Sequence, residues 1–322
     1  MASVTLPSSS TIEKHLRPIN VLIDLPRIAD LIEVCFASNM DSDGRTYIQQ
    51  MRRASGDTSF LRWASNAIEG TSMPISGFVW EESGKIIGNA SLIPFRHNGR
   101  RIYLIANVAT HPDYRRRGIA RALTQKTMEL ARKRGSHELW LHVRDDNPGA
   151  IQMYKSMGFE TRARRTTWWA IPSTHHTPHP NLLPVTKRVP AYWPQQQTWL
   201  RQSHPPELAW YHSYNESSFK PGVWSWLYRA FVEFDMRHWA VKTEVGLQAI
   251  LSYVSSTRQS PLWLAVNAES TPEAVTSLLT HAQSELHHLR RLAMEHPAGQ
   301  FSKAIEDSGF SVQRTLIWMK TR

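Results

Sequence analysis

The stretch with the most chemical potential is "HPDYRRRGIARAL", His111 to Leu123. Arg115, Arg116 and Arg117 stand directly before Gly118, and Ile119 and Ala120 open a run with helical spacing. The head of a helix exposes backbone N–H groups without partners and the positive end of the helix dipole, so an anion is favoured there. Glycine removes a side chain where a ligand must approach the backbone, and Ala120 is the next-smallest residue at a second such position. The arginines add positive charge around the same anion. Taken alone, the pattern suits three surroundings: solvent around a basic loop, the phosphate backbone of a nucleic acid, or the phosphates of a small ligand.

Other reactive residue types are sparse. Cys35 is the single cysteine, so no intrachain disulfide forms and a reducing compartment is expected. It lies in the amphipathic run "DLIEVCFAS" and reads as a small buried hydrophobe. His175, His176 and His179 fall in a proline-rich stretch with no Cys, Asp or Glu nearby to complete a metal site, so no metal is expected. The formal net charge of +11 favours an anionic partner without choosing among nucleic acid, an anionic surface and a phosphorylated cofactor. The first residues lack a basic start followed by an apolar core, and no apolar run approaches the roughly 20 residues of a membrane span. A cytoplasmic protein without a membrane partner is expected.

The elements that must position the basic loop follow from periodicity. "KHLRPI" suits a short strand, and "DLPRIADLIEVCFAS" has helical spacing, with Asp24 as its expected N-cap and Pro26 in the first turn. "GRTYIQQMRRA" is a second helix. "ISGFVWEESGKIIGNASLIPF" reads as a hairpin turning at "ESGK", and "RRIYLIANVATH" as a strand apolar enough to be buried on both faces. The basic loop comes next, then the helix "ARALTQKTMELARKRG", ended by Gly135. The strand "ELWLHV", the short helix from Asn147 to Gly158 and the strand "RTTWWAI" complete the series.

Residues 172–195 contain six prolines, a density that blocks both helix and central strand, and read as an extended linker. Beyond it the order recurs: a hairpin "WAVKTEVGLQAILSYVSS", a strand "PLWLAVNA", a helix capped by Thr271, a strand "RRLAMEH", then a short helix, Gly-Phe and a strand. This implies a tandem repeat of one domain type with a diverged second copy. Eight of the 13 tryptophans follow residue 190, and core packing is their expected role.

The loop does not stand alone. "NVATHPDYRRRGIARAL" followed by "LWLHVRDDNPGAIQMYKSMGF" resembles the signature of the GNAT superfamily of acyl-CoA-dependent N-acyltransferases. The loop motif of that family falls on Arg115, Gly118 and Ala120, and its second block on Asn147, Ala150, Tyr154, Gly158 and Phe159. The resemblance covers roughly residues 14–172. It implies an α/β fold of two GNAT-like domains, each a mixed central sheet flanked by helices: residues 14–172 as the N-acetyltransferase domain, 173–195 as linker, and 196–322 as a degenerate copy.

It further implies direct acetyl transfer from acetyl-CoA to a primary amine, with no metal. The pyrophosphate is expected on backbone N–H groups of Arg116, Arg117, Gly118, Ile119 and Ala120, with Arg115 beside them. The pantetheine arm is expected to pair with the backbone of Val108, Ala109 and Thr110, and Asn147 to contact the cofactor. A backbone N–H of the splayed strand, near Val108, is the expected donor to the thioester carbonyl, and Tyr154 the acid for the leaving thiolate. "LHVRDDN" resembles "LEVRxxN" of the branch that acetylates protein N-termini, which puts His142 where that branch carries a glutamate base. Glu81 and Glu82 are further base candidates. That branch often carries tyrosines near the domain end, where this chain has Trp168 and Trp169.

On this reading nucleic acid is not required as a partner, and the acceptor amine, small molecule or peptide, and the oligomeric state are open. A non-catalytic acyl-CoA-binding module and a protein N-terminal or lysine acetyltransferase are the alternatives. In the second half Phe219, Thr243, His296 and Glu306 stand three residues before Gly222, Gly246, Gly299 and Gly309, so no cradle pattern recurs there, and Ile305 takes the place of Tyr154.

Overall fold

A computed structural model describes residues 14–37, 40, 42–54, 76–173, 181–211, 219–221, 235–255 and 262–322. The chain divides into two compact units, Met1–Arg162 with Trp318–Arg322, and Ala163–Ile317.

In the first unit, β1 (Leu16–Pro18), β2 (Gly77–Glu82), β3 (Lys85–His97) and β4 (Arg100–Thr110) pair antiparallel in chain order. β4 then pairs parallel with β5 (Glu138–Arg144). A parallel pair needs a crossover, which here is the helix α3 (Ile119–Lys133). The helices α1 (Val21–Phe36) and α2 (Ser42–Ala54) precede β2, and α4 (Pro148–Ser156) follows β5. One core cluster joins Leu25, Ile28, Ile48 and Met51 of α1 and α2 to Val79 and Ala109 of the sheet. A second joins Ile119, Ala122 and Leu123 of α3 to Trp80, Ile87 and Ala90. Each helix buries one apolar stripe on one sheet face, which gives a three-layer unit.

The first helix starts a turn earlier than Asp24. Asn20 is its N-cap, its side chain accepting from Leu22 N–H at 3.2 Å. Asp24 is fully buried, accepts from Asn20 N–H at 2.8 Å and pairs with Arg17 at 2.6 Å. Both residue types cap well, and the Arg17 partner draws Asp24 into the interior. Cys35 is half-buried, not enclosed, and its thiol donates to Thr110 C=O at 3.3 Å.

The second unit repeats the element order. β8 (Met236–Thr243) and β9 (Gly246–Val254) form a hairpin, β10 (Leu262–Ala265) pairs antiparallel with β9 and parallel with β11 (Leu292–Pro297), and α6 (Pro272–Glu285) is the crossover. α7 (Ser302–Asp307) leads into the last strand, β12 (Ser311–Thr321). Leu278, Leu279 and Ala282 of α6 pack on the sheet in one cluster, and Trp193, Trp199 and Leu200 of α5 (Trp193–Ser203) in another. The tryptophans Trp193, Trp199, Trp210, Trp239 and Trp318 are buried. Trp224 and Trp226 lie outside the described residues.

Two expected boundaries shift. The strand β6 (Phe159–Ala170) passes from one unit to the other after Arg162, because Arg165 to Ala170 pair with Pro297 to Leu292 of β11. The proline-rich stretch is more than a linker: Val185–Lys187 is a strand, β7, paired antiparallel with β8, and Pro190–Tyr192 leads directly into α5. Prolines flank this short edge strand without entering it, which leaves its ladder intact. His175, His176 and His179 lie outside the described residues. The last five residues belong to the first unit, where Lys320 pairs with Glu138 at 3.1 Å and Arg322 with Glu160.

Candidate functional site

The parallel pairing of β4 with β5 runs from Ile102↔Glu138 to Ile105↔Leu141 and stops there. Both strands continue, β4 to Thr110 and β5 to Arg144, so their ends splay. The cause lies on the other edge of β4. Ser91 of β3 faces Ala106, while Asn89 faces Ala109, so Asn107 and Val108 together oppose the single residue Ala90. Such a bulge bends its strand and increases its twist. Asn107 sits in the left-handed region with φ 53°, which asparagine tolerates better than most residues.

The splayed end of β4 holds Val108, Ala109 and Thr110. Thr110 presents a buried hydroxyl with no hydrogen-bond partner among the described residues. Its carbonyl accepts from Cys35 and from Arg115 Nε at 3.3 Å. Burial raises the Cys35 thiol above its ordinary pKa, against the opposing pull of nearby Arg115.

A short turn, Pro112–Tyr114, then leads into the basic loop. Arg116 (φ 68°) and Gly118 (φ 76°) are both left-handed, and Gly118 is the N-cap of α3 without any side-chain cap. Tyr114 N–H and Arg115 N–H donate backward to His111 and Pro112 carbonyls, and Ala122 N–H begins the helical series on Gly118. Between them, the N–H groups of Arg116 through Arg121 have no acceptor among the described residues. An ordinary helix head leaves four such donors, and the two left-handed residues extend the set. Arg117 lies over the Tyr114 ring at 4.8 Å, while Arg115 folds back on Thr110, so two of the three arginines buttress the loop.

Asn147 caps α4, its side chain accepting from Ala150 N–H at 3.1 Å. Tyr154 is buried on that helix, edge-on to Phe159 at 6.0 Å. Burial raises its phenol well above the ordinary range, so it holds its proton at any working pH. Arg121 in the first turn of α3 donates to Ser156 at 2.6 Å, which ties the helix bearing Tyr154 to the basic loop. His142 is the first residue of β5 beyond the paired stretch and is half-buried. Its ring packs on fully buried Trp318 at 4.9 Å, a contact supplied by the end of the chain.

Glu81 is held by Arg17 at 2.6 Å and Arg27 at 3.0 Å, and these hydrogen bonds keep its carboxyl below the usual range. A carboxylate so engaged is a poor proton acceptor. No cluster of potential metal ligands occurs among the described residues. Nor is any described helix long and apolar enough to cross a membrane. At the head of α6, Thr271 caps the helix itself, accepting from Ala274 N–H, and Ile305 is a buried core residue.

Motif reading missed Asn89 and Asn107. Asn89 is fully buried in a strand of apolar neighbours and donates to Asn107 C=O at 2.8 Å and to Ser91 Oγ at 3.1 Å. The available signal was an asparagine inside an apolar run, "GNASLI", since a buried polar group is retained only where it is bonded.

Residues 39–159 match the family described as the acetyltransferase (GNAT) family. The chain is 41% identical over 63 residues to the [ribosomal protein bS18]-alanine N-acetyltransferase of Escherichia coli K12, covering 20% of this chain and 43% of that protein. It is 37% identical over 83 residues to an acetyltransferase of Pectobacterium atrosepticum, covering 26% of this chain and 56% of that protein. The chain thus spans about half the length of these curated relatives. A solved GCN5-related N-acetyltransferase from Sphaerobacter thermophilus shares its fold, with a TM-score of 0.52 and 13% identity over 98% of this chain and 96% of that one.

Proposed function

Because residues 39–159 match the acetyltransferase (GNAT) family, we propose that the protein transfers an acetyl group from acetyl-CoA directly to a primary amine. One observation carries the reading: six consecutive N–H groups, Arg116 to Arg121, stand without acceptors among the described residues, beside the splayed ends of β4 and β5. A row of donors at a helix head suits a pyrophosphate. The Thr110 hydroxyl, without a partner among the described residues, and the splay beside Val108 and Ala109 suit an extended amide-bearing arm.

Acetyl-CoA supplies an activated acyl group. The chain's own residues do the rest. A lysine-like amine has a pKa near 10.4 and must lose a proton before it attacks. His142, the first residue of β5 beyond its pairing with β4, takes that proton. Val108 N–H stabilises the charge that develops on the thioester oxygen. Tyr154 gives its proton to the departing thiolate, and its burial keeps that proton available. Arg115, Arg116 and Arg117 draw in the anionic cosubstrate, and Asn147 holds the helix that carries Tyr154. The second unit, with a self-capped helix head and Ile305 in the repeat position that Tyr154 takes in the first, binds no second equivalent.

Calorimetry on the full chain tests this reading. Wild type binds one acetyl-CoA, and Gly118→Glu, which sets bulk and negative charge in the cradle, binds at least about tenfold more weakly, or about 1.4 kcal/mol. Unchanged affinity in a folded variant rejects the site. A panel of amine acceptors, followed by coenzyme A release, then identifies the substrate. Alanine-bearing peptides head the panel, because the E. coli relative is an alanine N-acetyltransferase. Binding without release on any acceptor favours the non-catalytic module.

A further inference from the structure

Asn89 is an unexpected residue where it stands. It faces Val79 on one neighbouring strand and Ala109 on the other. Directly opposed residues share a sheet face, and both neighbours belong to the core under α1 and α2. A valine there would complete that core. Instead the side chain is fully buried, with Nδ2 donating to Asn107 C=O at 2.8 Å and to Ser91 Oγ at 3.1 Å. Its Oδ1 is buried with no partner among the described residues. Burying an amide with an acceptor left unpaired destabilises a fold, so the two bonds it does make need a purpose beyond packing.

The purpose follows from peptide geometry. Asn107 C=O and Val108 N–H belong to one planar trans peptide and point in opposite directions. Asn89 reaches the carbonyl from β3. The N–H on the far side of that peptide is therefore turned away from β3, toward the gap where β4 has left β5. The bulge frees this peptide from the regular β3 register, so the backbone ladder alone does not fix its tilt. A second bond, Asn107 Nδ2 to Tyr47 Oη at 2.8 Å, fixes the same residue from α2.

We propose that Asn89 is a positioning residue that clamps the 107–108 peptide and so aims the Val108 N–H at the thioester carbonyl of bound acetyl-CoA. The inference rests on the acetyl-CoA reading above. It makes Asn89 responsible for carbonyl polarisation and not for cosubstrate affinity, which belongs to the loop at Arg116–Arg121. It also makes Asn107 the residue through which α2 contacts the clamp.

The test uses the full chain and [1-¹³C]acetyl-CoA. A donor on the thioester oxygen lowers the C=O stretching frequency, so difference infrared spectroscopy reads the polarisation without any acceptor. Wild type shows a red-shifted bound carbonyl. Asn89→Leu, of similar volume, loses that shift, and Asn89→Ser, whose hydroxyl is too short to reach the carbonyl, loses it too and covers the case in which the leucine variant fails to fold. With the best acceptor of the panel, coenzyme A release by the Asn89 variants falls about 10²-fold while acetyl-CoA affinity stays within about threefold. A carbonyl band equally shifted in wild type and both Asn89 variants overturns the inference and leaves the acetyl-CoA reading standing. A wild-type protein that binds no acetyl-CoA overturns both.

Discussion

Gly88 sets how closely α3 approaches the sheet. Its backbone is ordinary, and what matters is the missing side chain. A Cβ there would meet Leu123 Cδ1 at 2.8 Å, Ile119 Cγ2 at 2.9 Å and Trp80 Cβ at 3.2 Å. Carbon atoms in good contact lie about 3.5–4.0 Å apart, so Gly88→Ala forces α3 or its side chains back by roughly 0.5–1 Å. Leu123 and Ile119 are 0% and 3% exposed, and β-branched Ile119 has little rotamer freedom. Overpacking of this kind costs about 1–3 kcal/mol. Ile119 is also the first residue of α3, so the retreat displaces the N–H groups expected to hold the pyrophosphate. Loss of one hydrogen bond to a charged group is worth about 1.5–3 kcal/mol, or roughly tenfold or more in Kd. The expected outcome is a lower Tm by thermal unfolding together with an acetyl-CoA Kd raised at least about tenfold by calorimetry. Gly149→Ala is the control: its Cβ meets only Asn147 Oδ1 at 4.0 Å, and neither quantity should worsen. A Gly88→Ala protein with wild-type Tm and Kd would refute the close-approach argument.

Two further outcomes follow from buried titratable groups. Tyr154→Phe should lower kcat about 10²–10⁴-fold with acetyl-CoA affinity little changed, as measured by steady-state kinetics and calorimetry; intact kcat would reduce Tyr154 to packing. His296 is fully buried with neither ring nitrogen bonded among the described residues, and burial, aided by the charge of Arg165, lowers its pKa to about 3. The unfolded chain takes up this proton near pH 6.5 and the native state does not. Stability is therefore whole above pH 6.5 and falls as pH drops toward 3, by up to roughly 5 kcal/mol. Denaturant unfolding at pH 7 and pH 4.5 should show His296→Leu losing less stability between the two than wild type, and parallel losses would dismiss the assignment.

The elements that were legible in the sequence rest on short-range physics. Asn147 and Thr271 cap their helices because their side chains reach a backbone N–H two or three residues on. Gly135 follows the end of α3 with φ 71°, as its place after the last apolar residue required. The loop at Arg115–Ala120 was readable for the same reason, since its donors and its glycine are neighbours in the chain. Asp24 shows the limit of such reading. Asn20 caps equally well, and the choice between them fell to Arg17, which reaches Asp24 from a neighbouring strand.

What sequence alone determined, then, is the order of the elements, the repeat of that order and the basic loop, because each is written in residues within a turn or two of one another. Tertiary structure alone decided the rest, through pairings between residues far apart in the chain. β6 changes unit at Arg162 because its later residues find β11, and Val185–Lys187 is a strand because β8 lies beside it. The bulge at Asn107 and Val108 exists only in the register of β3 against β4, and Asn89 acquires its meaning from the carbonyl that this register brings within reach. His142 gains Trp318 from a residue 176 positions later in the chain. No local propensity encodes such contacts: they are set by which distant strands can bury their apolar faces together, and the side chains that serve the site are carried there by that choice.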